Sequence, residues 1–234
     1  MVKRWLVVSL VLNAAFIANR VSAFMGRGTL FFTPPPVYSP FHGQRAAVFQ
    51  GMPVPKGAVL FFGDSLIENC EWSELLGVPA ANRGISGEDT TALVAVVPAL
   101  GDLHGVVSVF VEAGVNDVRV GFEGEAFAAR YRALLNTLHR AAPQAQITVQ
   151  SLLPVNPGLD PVFRGLPAKI RAANQTLARL ASEMGFRYLD VYSALVDPSG
   201  LMDRRYTSDG LHPNGAGYQV WGKLLRPLVP SVGN

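Results

Sequence analysis

The chain has 234 residues, 49% of them hydrophobic and 16% charged, with 20 Lys+Arg against 17 Asp+Glu for a formal charge of +3. That length fits one well-buried domain, so apolar a composition excludes a disordered polymer, and no Gly-X-Y or heptad period points to a fibre. A sequence pI near 9.2 would normally suggest nucleic acid or an anionic membrane. Three of the basic residues, Lys3, Arg4 and Arg20, lie in residues 1–23, which hold no Asp or Glu, and the remainder is balanced at 17 against 17. The pI therefore gives no reason to expect a nucleic-acid partner.

Residues 1–23 begin with a short basic stretch, continue in an apolar run from Trp5 to Ala18, and end in Val21-Ser22-Ala23. The run is shorter than the ~20 residues of a bilayer-spanning helix. Its three-part form is that of a secretory signal cleaved after Ala23, with an uncleaved membrane anchor as the alternative. On either reading the rest is exported, periplasmic or extracellular, and any membrane contact runs through residues 5–18. Residues 24–57 contain Pro34-Pro35-Pro36 and Pro53-Val54-Pro55, which suits an extended spacer and then a surface-wrapping arm; the folded domain is expected over 58–234. Cys70 is the only cysteine, so no intramolecular disulfide can form, and it reads as a small packing residue.

From residue 58 the pattern alternates. Apolar runs at 58–62, 106–111, 147–153 and 186–191, with a weaker one at 79–82, read as strands buried on both sides. Between them, helical patterns cover 67–76, 90–100, 125–142, 167–184 and 214–228; the third carries Phe127, Tyr131, Leu134, Leu135 and Leu138 at helical spacing. This alternation predicts right-handed βαβ crossovers: an α/β fold, a three-layer α/β/α sandwich around a five-stranded parallel sheet. In such a sheet the chemistry belongs at the carboxyl ends of the strands.

The strand ends hold Gly63-Asp64-Ser65-Leu66, Asn82-Arg83-Gly84-Ile85-Ser86-Gly87 and Gly114-Val115-Asn116-Asp117, and Asp209-Gly210-Leu211-His212 precedes the last helix. Acyl transfer needs a nucleophile, a base, a carboxylate to orient the base, and donors for the oxyanion. Ser65 at a strand-to-helix turn, His212 and Asp209 supply the first three, while Gly84 and Asn116 offer a backbone N–H and a side-chain amide.

These four segments, in this order, resemble the SGNH/GDSL hydrolase family, and the resemblance runs from about Pro53 to Leu228. It implies a flavodoxin-like fold, Ser65 as nucleophile, His212 as base and then acid, and Asp209 as its partner. The implied oxyanion hole is the N–H groups of Ser65 and Gly84 with the Asn116 amide. Segments 71–76, 82–91 and 150–157 are most similar to the branch containing platelet-activating-factor acetylhydrolase-like proteins and carbohydrate O-acetylesterases. The expected substrate is accordingly a small-molecule or glycan ester, with short acyl groups first and lysophospholipids or acyl thioesters second. A non-catalytic carbohydrate-binding protein on the same scaffold is the reading from another class.

Several residues invite alternatives. Asp64 is expected to organise its turn, Asp117 to cap the next segment, and Trp72, Tyr218 and Trp221 to be core or rim rather than a sugar platform. Glu112, inside an apolar strand, needs a partner, for which Arg83 is the nearest candidate; Arg83 could equally line the substrate site. The run Gly217 to Lys223 imitates a phosphate loop, but Leu224 stands where Ser or Thr is required. There is no HExxH, paired Cys or clustered His, so neither a metal nor a cofactor is expected.

Overall fold

The computed structural model describes residues 38–229. The expected signal or anchor and most of the Pro-rich spacer lie outside these residues.

Five strands, β1 (Val59–Gly63), β2 (Ala80–Gly84), β3 (Ser108–Glu112), β4 (Gln146–Gln150) and β5 (Arg187–Leu189), pair in the order β2-β1-β3-β4-β5. Every pairing is parallel. Both β1 and β3 are buried along their whole length, which is why their side chains are apolar on both faces rather than alternating. The sheet is the expected one, with strand bounds shifted by a few residues. Its order reverses between β1 and β3, and the crevice outside such a switch point is where open α/β sheets bind ligands. Ser65 follows β1, Asn116 follows β3, and Gly63 is in register with Glu112.

Helices cover both faces. α6 (Gly124–Ala141) packs on both α4 (Thr90–Val96) and α7 (Leu166–Glu183), and α9 (Gly215–Leu225) packs on α3 (Trp72–Leu76) and α8 (Tyr192–Leu195). The stripe Phe127, Tyr131, Leu134, Leu135 and Leu138 is buried as its spacing required, each of its Phe and Leu side chains stabilising by roughly 1.5–3 kcal/mol. Trp72, Tyr218 and Trp221 belong to the core, with Phe61 stacked on Trp72 at 4.1 Å. The imitation phosphate loop is helix α9, and Gly222 packs there against Leu75. Cys70 is buried, which pushes its thiol up to about 12.

Three expectations need correcting. The helix expected at 67–76 is two short ones, α2 (Ser65–Glu68) and α3. The amide of Asn82 explains the break, because its Nδ2 donates to the carbonyls of Ile67 (2.9 Å), Glu68 (3.1 Å) and Cys70 (2.9 Å), satisfying oxygens that a continuing helix would have used. Within residues 24–57, where no helix was expected, His42–Gly51 is a helix, α1, that buries Phe49 and packs on the turn Val97–Leu100. Arg83 neither pairs with Glu112 nor faces the strand-end crevice. Its guanidinium donates to the carbonyls of Asn82 (2.9 Å) and Met52 (2.5 Å) and lies 5.1 Å from the Phe49 ring, on the arm side. Glu112 is fully buried with no hydrogen-bond partner among the described residues. Burial first, and the nearby Asp64 second, push its pKa well up.

Candidate active site

The turn after β1 is shaped by Asp64, whose Oδ1 accepts the Leu66 N–H (3.0 Å) and so caps α2, as expected of it. Ser65 then occupies the first helical position, where its own N–H has no intrahelical acceptor. Burial raises the Asp64 carboxyl to about 7 against the lowering effect of the Leu66 bond. Tyr218 Oη donates to the Leu66 carbonyl (2.8 Å), tying α9 to this turn.

The loop before α9 folds around one carboxylate. Asp209 Oδ1 accepts the N–H groups of Leu211 and His212, both at 2.9 Å, and the Thr207 hydroxyl at 3.2 Å. Its Oδ2 lies 2.6 Å from His212 Nδ1. Burial would raise the Asp209 pKa, but these donors outweigh it and hold the carboxyl at about 2, so it is ionised across the neutral range. The carboxylate makes Nδ1 the protonated nitrogen, leaving Nε2 as an acceptor 3.0 Å from Ser65 Oγ. Behind this loop, the segment after β4 gives it a wall: Asn156 N–H donates to Gly210 O (2.8 Å) and Asn156 Nδ2 to Met202 O (2.7 Å). Ser65, Asp209 and His212 therefore form one continuous hydrogen-bonded chain. It can take a proton from the hydroxyl and stabilise the resulting imidazolium.

Of the residues expected on the oxyanion side, Gly84 is otherwise engaged. Gly84 N–H is committed to Asn82 Oδ1 (2.9 Å), and its carbonyl accepts Arg45 Nε (3.2 Å) and Nη2 (3.1 Å). A Cβ at position 84 would lie 2.3 Å from the Glu68 nitrogen. Gly84 is thus required for close packing against α2, and its N–H is not available to a substrate. Three residues later, Gly87 is exposed, has φ +81°, and finds no acceptor for its N–H among the described residues. Asn116, at the start of α5 (Val115–Arg119), spends one amide hydrogen on the carbonyl of Glu88 (2.9 Å), which sets the amide beside Gly87 and leaves its second hydrogen free to donate. A hollow of about 350 Å³ opens at Gly87, lined also by Ser86 and by Tyr38, Ser39, Pro40 and Phe41 of the arm.

The remaining polar residues of the motifs are structural. Asp117 is buried and accepts from Thr90 N (2.9 Å), Thr90 Oγ1 (2.7 Å) and Arg130 Nε (2.8 Å), joining α4 to α6 instead of capping its own segment. His104 and His139 are exposed. His42, to which the sequence assigned no role, has its Nδ1 3.1 Å from Glu88 Oε1.

The family model for GDSL-like Lipase/Acylhydrolase matches residues 61–220, a span that includes Ser65, Asn116, Asp209 and His212. The chain belongs to this family. Platelet-activating factor acetylhydrolase IB subunit alpha1 from Bos taurus is 29% identical over 177 residues, covering 73% of this chain and 74% of that protein; the Homo sapiens protein matches equally. Among solved structures, a Streptococcus pneumonia protein assigned as a platelet activating factor has a TM-score of 0.74 at 26% identity, covering 96% of this chain and 99% of its own. A GDSL-like lipase from Bacteroides thetaiotaomicron has a TM-score of 0.64 at 20% identity, covering 80% and 96%, and shares the fold. Family membership makes the chain an ester hydrolase of the lipase/acylhydrolase kind.

Proposed function

We propose that this hydrolase is an exported serine esterase that removes short acyl groups, O-acetyl groups on carbohydrates first among them, through an acyl-enzyme. The observation that carries the serine chemistry is the unbroken chain from Ser65 Oγ through His212 to Asp209. Ser65 Oγ attacks the ester carbonyl as His212 Nε2 takes its proton. The carbonyl oxygen becomes the oxyanion, met by the N–H groups of Ser65 and Gly87 and by the Asn116 amide. Collapse expels the alcohol, which receives the proton from His212. Water then repeats the sequence on the acyl-enzyme, releasing the carboxylic acid and restoring Ser65. Gly87 replaces Gly84 in the donor set because the Gly84 N–H is already bonded to Asn82, whereas the Gly87 N–H has no acceptor among the described residues.

Acetyl as the acyl group is supported by the name of the mammalian relatives, acetylhydrolases at 29% identity. Carbohydrate as the alcohol is supported by the resemblance of three segments to O-acetylesterases and by the export-type N-terminus. The same relatives favour one second reading, an acetyl ester on a phospholipid. A fluorophosphonate probe should label wild-type chain at Ser65, and Ser65→Ala should lose essentially all p-nitrophenyl acetate hydrolysis while remaining folded. Wild-type turnover by that variant would overturn the serine mechanism, and an unlabelled wild type would favour a binding protein. Rates across p-nitrophenyl esters from acetate to palmitate, beside acetate release from acetylated glycans and acetylated phospholipid, choose the substrate.

A further inference from the structure

Helix α1 lies outside the matched family span of 61–220, yet it is bound to the loop carrying Gly87 by two carboxylates. Glu68, in the same short helix as Ser65, accepts the Ser86 N–H (2.6 Å) and the Ser86 hydroxyl (2.5 Å) on Oε2, while Oε1 meets Arg45 Nε at 3.0 Å. Arg45 also donates twice to the Gly84 carbonyl. Two residues beyond Ser86, the fully buried Glu88 accepts the Ser39 N–H (3.0 Å) and faces His42 Nδ1 (3.1 Å) on Oε1, and its carbonyl holds the Asn116 amide. The residues on each side of Gly87 are therefore held by side chains that α1 and the turn before it keep in place. The peptide between them is a glycine at φ +81°, which by itself has little preference among orientations.

Resting on the serine-esterase reading above, we propose that α1 is a positioning element of the active site: Arg45, through Glu68 and Gly84, and His42, through Glu88, hold residues 86–88 where Gly87 and Asn116 donate to the oxyanion. The physical reason is that oxyanion stabilisation depends on donors fixed in advance, and a displacement of about 1 Å can cost on the order of 10² in rate. Removing His42 leaves a buried carboxylate with the Ser39 N–H alone, a state relieved by moving the loop or protonating the acid. Burial already raises the Glu88 pKa against the opposing effects of Ser39 and His42, consistent with a carboxylate that needs its arm-side partners. Because the lost interaction is stronger in the transition state than with bound ester, the effect belongs in kcat.

The test compares His42→Ala, His42→Gln, Arg45→Ala and the double alanine variant with wild type in p-nitrophenyl acetate hydrolysis, after thermal unfolding has shown each to be folded at the assay temperature. Expected are kcat losses of about 10-fold in each single alanine variant and about 10²-fold in the double variant, with KM within twofold. His42→Gln, which keeps a donor for Glu88, should recover most of the activity. The affinity for phenylboronic acid, whose tetrahedral adduct on Ser65 mimics the oxyanion, should fall in parallel with kcat. Unchanged kcat in the folded double variant would overturn the proposal, as would a loss seen only in KM, or a fall in kcat with boronate affinity unchanged. If the double variant does not fold, the His42→Ala and His42→Gln pair decides, since His42 is partly exposed and outside the core. Loss of activity in Ser65→Ala beside unaffected arm variants would reject this proposal alone; an active Ser65→Ala would reject the reading on which it rests.

Discussion

The base loop, residues 207–213, and the oxyanion loop, residues 84–89, of the proposed mechanism are built on different plans. Asp209 organises the base loop from within: three of its donors come from residues 211 and 212, and the fourth from Thr207. The oxyanion loop is held almost wholly from outside, by Asn116, Glu68, Ser39, His42 and Arg45. A loop whose carboxylate meets its base three residues away can be recognised as a motif. A loop whose shape depends on partners 18 to 49 residues distant cannot.

Substitutions should separate these two plans. Asp209→Asn strikes the self-contained loop, where the amide cannot hold His212 in the tautomer that accepts from Ser65; kcat should fall roughly 10⁴-fold, measured on p-nitrophenyl acetate. The same variant has a pH signature. Asp209 is held at about 2, below its ordinary 3.8, so its contribution to stability is complete above about pH 4 and is lost as pH falls through 2. Acid unfolding should therefore show the stability difference between wild type and Asp209→Asn narrowing over that window. A difference that stays constant down to pH 2 would contradict the assigned bonds. Asn116→Ala removes one external donor and should lower kcat by about 10²–10³; an effect confined to KM would mean the amide only binds substrate. Smallest in chemistry, Gly84→Ala should act first on stability. Its Cβ meets the Glu68 backbone at 2.3 Å, and the overpacking should cost about 1–3 kcal/mol, read as a lower Tm. An unchanged Tm would show that α2 can yield, and would reopen the assignment of Gly84 to packing.

Much of the fold was legible because its signals are short-range. Runs such as Val59-Leu60-Phe61-Phe62 can be buried on both faces only in a central parallel strand, and the stripe on α6 needs nothing beyond its own period. What escaped was set at long range. α1 presents one buried residue, Phe49, so its sequence carries no amphipathic stripe to find. The break between α2 and α3 depends on Asn82, a residue of the next strand. Glu112 and Arg83 looked like a pair because both are charged near strand ends; the register sends the first into the core and the second toward the arm.

Residues 82–87 show where the boundary lies. The order of Ser65, the glycine-rich segment, Asn116 and the Asp209–His212 pair was enough to place the chain in its family, and the alternation of apolar runs with helical patterns to predict the sheet, because each is a short-range signal. The segment contains two glycines, and sequence alone cannot tell which one offers its N–H. The tertiary structure separates them: Asn82 and the α2 backbone close on Gly84, while the Gly87 N–H has no acceptor among the described residues. A backbone N–H carries no side chain to mark it, so its availability is defined only by which neighbours the fold brings to it.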